Sequence, residues 1–138
     1  MRHQNEPAEI FLDLATDLDV MRARQCAERL TADLRFHGRE RAMIAIVISE
    51  IVRNTVLYAY KGRISLKVIQ DGRRRGLLVV VKDDGPGIPD LGLAMQDGYT
   101  TSRGLGIGLP SAKRLMDEFD IVSEVGKGTT ITMTKWES

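Results

Sequence analysis

The 138-residue sequence predicts an α+β fold, a two-layer sandwich with a mostly antiparallel mixed sheet and helices on one face. Three observations carry this. Segments 63–69 with 77–82, and 121–125 with 129–136, have strand composition and are joined by short glycine-containing stretches, so each pair reads as an antiparallel hairpin. Two helical patterns follow one another directly near the start of the chain instead of alternating with strands. The order βαα, ββ, glycine-rich loop, α, ββ is therefore not the βαβ alternation of a doubly wound parallel sheet.

Each element has its own signal. In Glu9–Ala15, Ile10, Leu12 and Leu14 alternate with Phe11 and Asp13, the period of a half-buried strand. Thr16 or Asp17 is placed to cap a helix running to about Leu34, with Met21, Ala27, Leu30 and Leu34 among its apolar positions. Gly38 breaks the chain, and a second helix spans about Arg39 to Ala59. It is apolar on most sides, as a centrally buried helix is. Gly62 ends it. Gln70–Gly76 reads as the loop of the first hairpin. Residues 83–108 hold seven of the thirteen glycines and form a long loop, which inside a small domain is usually functional. A helix over about Leu109–Glu118 and the hairpin turning at Gly126-Lys127-Gly128 complete the chain. One domain over 1–138 is expected, with residues 1–8 flexible and about 87–103 a mobile lid.

Composition removes several function classes. Twenty Lys and Arg against nineteen Asp and Glu give a net charge of +1, without the basic excess of a dedicated nucleic-acid binder. Arg73-Arg74-Arg75 is the one basic cluster. The longest apolar run, Ala42–Ile48, is far short of the roughly 18 residues of a membrane span, and no secretory leader is visible. A single cysteine, Cys26, and two histidines, His3 and His37, leave no material for an internal disulfide or a Cys/His zinc site. A protein of the reducing cytoplasm is expected.

On the second helix, Met43, Val47, Glu50, Asn54 and Leu57 are spaced 4, 3, 4 and 3, one stripe of the surface. Three of the five are apolar, so the stripe is expected to face the interior, with Glu50 and Asn54 where leucines would stand. Burying a carboxylate without a partner is costly. Asn54 offers a neutral amide oxygen suited to Mg²⁺, which keeps waters and takes phosphate oxygens. Glu50, four residues earlier, is placed to hold or deprotonate a nucleophile. A satisfied polar pair at a helix–loop contact would look the same.

Three glycine motifs follow. Asp83-Asp84-Gly85-Pro86-Gly87 comes directly after a strand. A carboxylate there suits an exocyclic amine such as that of adenine, and Gly85 and Gly87 allow backbone to pass close to a flat ligand. An ordinary turn is the other reading. Gly104, Gly106 and Gly108 open a helix, where free N–H groups and the positive end of the helix dipole suit phosphates. The spacing is neither the dinucleotide fingerprint nor a P-loop, and the motifs of eukaryotic-type protein kinases are missing. A hinge is the alternative. Gly126-Lys127-Gly128-Thr129 is either a tight turn or a way to bring Thr129 beside Asp83.

Taken together, E-x-x-x-N on a helix, D-x-G-x-G after a strand, G-x-G-x-G before a helix and G-x-G-T in a late hairpin resemble the GHKL superfamily, with its Bergerat ATP-binding fold. The resemblance implies ATP and Mg²⁺ as ligands. It implies Asn54 on the metal, Asp83 on the adenine amine, Gly85 and Gly87 at the base, Gly104, Gly106 and Gly108 over the phosphates, and Thr129 supporting the adenine. Ser49–Asn54, Asp84–Asp90, Gly104–Pro110, Lys113–Phe119 and Thr134–Trp136 are similar to the RsbT group of stressosome switch serine/threonine kinases. The similarity runs from about Asp17 to Trp136, with little from the first 16 residues or from Gln70–Gly76. Arg103 stands where a small residue is expected.

The group implies transfer of phosphate to a STAS-domain antagonist with Glu50 as catalytic base, followed by binding and activation of a phosphatase. Three readings remain: a kinase, a nucleotide-gated binding switch, and an anti-sigma-factor kinase that sequesters a sigma factor. A bare ATPase fragment fits less well, since the chain reads as a whole domain.

Overall fold

The computed structural model describes residues 9–59, 61–87 and 108–137. Its elements are β1 (Glu9–Leu14), α1 (Leu18–Leu30), α2 (Gly38–Tyr58), β2 (Gly62–Asp71), β3 (Arg74–Asp83), α3 (Gly108–Leu115), β4 (Glu118–Glu124) and β5 (Gly128–Trp136). The five strands form one sheet in the order β1-β2-β3-β5-β4. All four pairings are antiparallel, so among the described strands the sheet is antiparallel throughout rather than mixed. No helix of the described residues is long and apolar enough to cross a membrane.

The period-two pattern decides which face meets the helices. Ile64 and Leu66 of β2, Leu77, Val79 and Val81 of β3, and Ile131 and Met133 of β5 are buried, and they meet Val47, Ile48, Ile51 and Val52 of α2 and Leu109 and Ala112 of α3 in one core. Burying side chains of this kind stabilises by roughly 1.5–3 kcal/mol each. In β1, Leu14 is fully buried while Phe11 points outward at 62% exposure, as the alternation requires.

Several boundaries differ from expectation, for local reasons. Helix α1 ends at Leu30, not Leu34: the Thr31 hydroxyl donates to the Ala27 carbonyl at 2.7 Å and the backbone leaves the helix in tight turns. Asp17 occupies its N-cap position, but neither it nor Thr16 caps with its side chain. Asp19, in the first turn, instead fixes the chain that enters the helix, its Oδ2 accepting the amides of Ala15 (2.8 Å) and Thr16 (3.0 Å). Helix α2 opens with a capping box between His37 and Glu40, whose Oε1 accepts the His37 amide at 2.9 Å. The β2–β3 hairpin is longer than the sequence indicates. Asp71 pairs with Arg74, so Gly72 and Arg73 alone make the turn, with Gly72 at φ +65°. Helix α3 stops at Leu115 and β4 begins at Glu118, three residues before the expected Ile121.

Candidate functional site

The site lies where the C-terminal part of α2 meets the end of β3 and the β4–β5 hairpin. Asp83 is the last residue of β3 and faces Thr129 across the β3–β5 ladder. Its Oδ1 accepts the Gly85 amide at 2.8 Å, which fixes the carboxyl group at the mouth of the strand. Burial pushes the Asp83 carboxyl above the usual aspartate range, and the amides of Gly85 and Thr129 oppose that shift. Thr129 is buried, and its hydroxyl shares a 2.9 Å hydrogen bond with that of Ser123 on β4.

Two glycine motifs that are distant in sequence meet backbone to backbone here. The Gly126 amide donates to the Pro86 carbonyl at 2.9 Å. Gly87, at φ +79°, passes so close to β4 that a Cβ would stand 2.5 Å from the Glu124 carbonyl oxygen. Gly128, at φ +111°, leaves no room for a Cβ against the Asp83 carbonyl. Both positions demand glycine for conformation as well as for space. The expected turn and the expected close approach are thus one feature: the turns hold Asp83 and Thr129 side by side.

These residues enclose a slot. Its polar lining residues are Asn54, Thr55, Asp83 and Thr129, and its apolar ones Ile51, Leu109, Ile131, Ala59, Pro86 and Gly87. A narrow apolar slot with a carboxylate and a hydroxyl at one side suits a flat heterocycle carrying an amine donor. Asn54, which also lines the slot, carries an amide oxygen, the donor chemistry that a phosphate-bound Mg²⁺ accepts. Gly108 opens α3 as the motif requires, whereas Gly104, Gly106, Arg103 and most of the expected lid lie outside the described residues.

Glu50 needs a correction. The stripe containing it faces the interior only in part: Val47 is buried, but Leu57 is 50% exposed and the Glu50 side chain is 35% exposed rather than buried. Nor does Glu50 lack a partner, because its Oε1 accepts from Arg53 Nη1 at 3.0 Å. An exposed i, i+3 pair of this kind is worth only about 0.3–0.5 kcal/mol. Val47 belongs to the inward face of α2, which runs through Ile44, Val47, Ile48, Ile51, Val52 and Thr55. So Asn54 lines the slot, while Glu50, one turn before it, is half-exposed and does not line it.

Sequence reasoning passed over Arg53, Thr55 and Ser123. Arg53 carried a signal, since a cation three residues after a glutamate on a helix is pairing distance. Thr55 and Ser123 carried none until the strand register was known.

The comparisons with known proteins agree with this geometry. Residues 40–137 match the family described as histidine kinase-, DNA gyrase B-, and HSP90-like ATPase. The chain is 45% identical to the serine/threonine-protein kinase RsbT of Bacillus subtilis over 89% of its own length and 92% of that protein. It is 33% identical to the anti-sigma F factor of a Thermoanaerobacter species, over 83% of this chain and 82% of that one. Among solved structures, the RsbU and RsbW domains of Rv1364c from Mycobacterium tuberculosis superpose with a TM-score of 0.62 at 26% identity, covering 95% of this chain and 32% of that longer one. The catalytic domain of histidine kinase ThkA shares the fold at 16% identity, with a TM-score of 0.55 over 93% of this chain and 98% of its own. The chain belongs to the histidine kinase-, DNA gyrase B-, and HSP90-like ATPase family and, within it, is an ATP-dependent enzyme of the RsbT-like serine/threonine-kinase type.

Proposed function

We propose that the protein is a switch kinase of a partner-switching stress-response pathway. It transfers the γ-phosphoryl group of ATP to a serine or threonine of a STAS-domain antagonist and, once released, binds and activates a downstream phosphatase. The observation that carries this reading is the split between two neighbours on α2. Asn54 lines the slot, and Glu50, one turn away, stands at the solvent side, where a hydroxyl borne by another protein can reach it.

The roles follow from position. Asp83 accepts the adenine amine, Thr129 and Gly87 border the base, and Gly85 holds Asp83 in place. Gly104, Gly106 and Gly108, the motif that precedes and opens α3 in the sequence, take the phosphates. Asn54 would hold Mg²⁺, which when bound would neutralise phosphate charge. Glu50 accepts the acceptor's hydroxyl proton as the acceptor oxygen bonds to the γ-phosphorus. The bond from that phosphorus to the bridging oxygen breaks, and ADP leaves with the electron pair. The reading is of a cytoplasmic protein that works on protein partners rather than on nucleic acid or membrane.

Labelled-ATP transfer to purified STAS-domain proteins tests the reading. Glu50→Gln keeps nucleotide binding and loses transfer by about a hundredfold or more, while Asn54→Ala loses the Mg²⁺-dependent part of nucleotide affinity. Equal transfer rates for Glu50→Gln and the parent would remove Glu50 from the chemistry. The 33% identity to an anti-sigma F factor favours a second reading, an anti-sigma-factor kinase that sequesters a sigma factor. Pull-down of a sigma factor, as opposed to a phosphatase, distinguishes the two.

A further inference from the structure

Ile46, Glu50, Arg53 and Leu57 are spaced 4, 3 and 4 along α2 and form one continuous stripe. Ile46 is 57% exposed and Leu57 50% exposed. The Glu50–Arg53 pair lies between them, with side chains 35% and 47% exposed. At 1.5 Å per residue the stripe is roughly 16 Å long. Neither Ile46 nor Leu57 lines the slot, but Asn54, beside the central pair, does. The core contact of α2 is made by Val47, Ile48, Ile51 and Val52, so the outer aliphatic pair adds little to folding.

We propose that this stripe is the docking surface for the phosphoacceptor protein. The inference rests on the kinase reading above and specifies its substrate. The acceptor presents a serine or threonine between apolar side chains that cover Ile46 and Leu57, and an acidic side chain that takes Arg53. Position and charge choose this occupant. A hydroxyl that reaches Glu50 must be carried by something lying over the stripe, since Glu50 is at its middle. Glu50 is held by Arg53 at rest. An incoming carboxylate exchanges one ion pair for another and leaves the Glu50 carboxylate open to the hydroxyl. The resting pair is solvent-exposed, so the exchange meets little resistance. A second copy of the chain seated on this stripe would cover Glu50 and shut the acceptor out.

Phosphorylation kinetics with a purified STAS-domain acceptor, alongside calorimetry of Mg-ATP binding, test the surface. Ile46→Ser and Leu57→Ser each raise KM for the acceptor about tenfold, with kcat and Mg-ATP affinity at parental values. Arg53→Glu raises KM further, Arg53→Lys restores most of it, and a Lys in place of the acceptor's acidic residue rescues Arg53→Glu. An unchanged KM in the Ile46→Ser, Leu57→Ser double variant overturns the proposal while leaving the kinase reading intact. A parent protein that binds Mg-ATP and transfers nothing to such acceptors defeats the kinase reading itself. Conversion of a dimer to a monomer by the same double variant in sedimentation makes a second copy the occupant and also overturns it.

Discussion

Asp83 is subject to opposed demands. Its position at the end of β3, under Thr129 and against the slot, strips it of water and raises its affinity for a proton. Its proposed task, accepting the adenine amine, needs the ionised form. The amides of Gly85 and Thr129 resolve the conflict in part, because hydrogen bonds to a carboxylate favour its charge. The sign of the pH dependence follows. Protonation removes the acceptor, so Mg-ATP affinity holds near neutrality and falls on acidification, starting at a higher pH than an ordinary aspartate would give. Calorimetric titrations across pH, for the parent and Asp83→Asn, check this: the variant binds more weakly and its acid-side dependence is flat. An equally steep fall in the variant would assign the dependence to another group. At this scale Asp83, Asn54 and Thr129 were legible in the sequence because each follows a backbone signal, a strand end, a helix or a glycine turn. Glu50 was legible by type and spacing but not by environment. Spacing identifies a stripe, and only packing reveals how much of it the core covers.

At the scale of elements, the start of α1 shows how a first-turn carboxylate can fix the chain that enters a helix. The Asp19 carboxylate accepts the amides of Ala15 and Thr16, two residues that precede the helix, and it lies at the positive end of the helix dipole. Those hydrogen bonds, with the Ala15 amide foremost, hold its carboxyl below the usual aspartate range. A depressed pKa contributes stability that is fully present above the unfolded value and is lost as pH falls through the folded one, hence below about pH 4. Asp19→Ala is expected to cost about 1–2 kcal/mol in urea denaturation at pH 7, with a smaller difference from the parent at pH 3. An equal loss at both pH values would contradict the electrostatic account. The sequence pointed to Thr16 and Asp17 because capping preferences look to the residue just before the helix. Asp19 reaches back over a turn that no preference scale encodes. The hairpins were legible for the opposite reason, since β2 with β3 and β4 with β5 are local pairings with glycine at their turns.

At the scale of the whole molecule, the chain is closed by a residue without sequence signal. The Glu137 side chain is only 5% exposed. It accepts the Arg35 amide at 2.8 Å and the Arg75 amide at 3.2 Å, so one carboxylate joins the C-terminal end of the sheet to the segment between α1 and α2. Arg75 completes the clasp, its guanidinium 3.6 Å from Glu137 and donating to the Asp33 carbonyl at 2.8 Å. Thus Arg75, part of the basic run of the sequence, acts as a tie within the fold. The Arg35 amide, followed by burial's opposing effect and the contribution of Arg75, leaves the Glu137 carboxyl lowered. Glu137→Ala leaves two amides without their acceptor and is expected to cost about 2–4 kcal/mol in thermal or urea unfolding, with Mg-ATP affinity retained because the clasp is not part of the slot. A stable variant with weakened nucleotide binding would contradict that separation. The central claim is that Asp83, Thr129 and Asn54 bound one nucleotide slot, base at the strand end and phosphates towards α3. A crystal structure with Mg²⁺ and a non-hydrolysable ATP analogue tests it most directly. The account predicts the adenine amine within hydrogen-bond distance of Asp83 and the Asn54 amide oxygen on the metal; a nucleotide bound elsewhere, or a base turned away from Asp83, would contradict it.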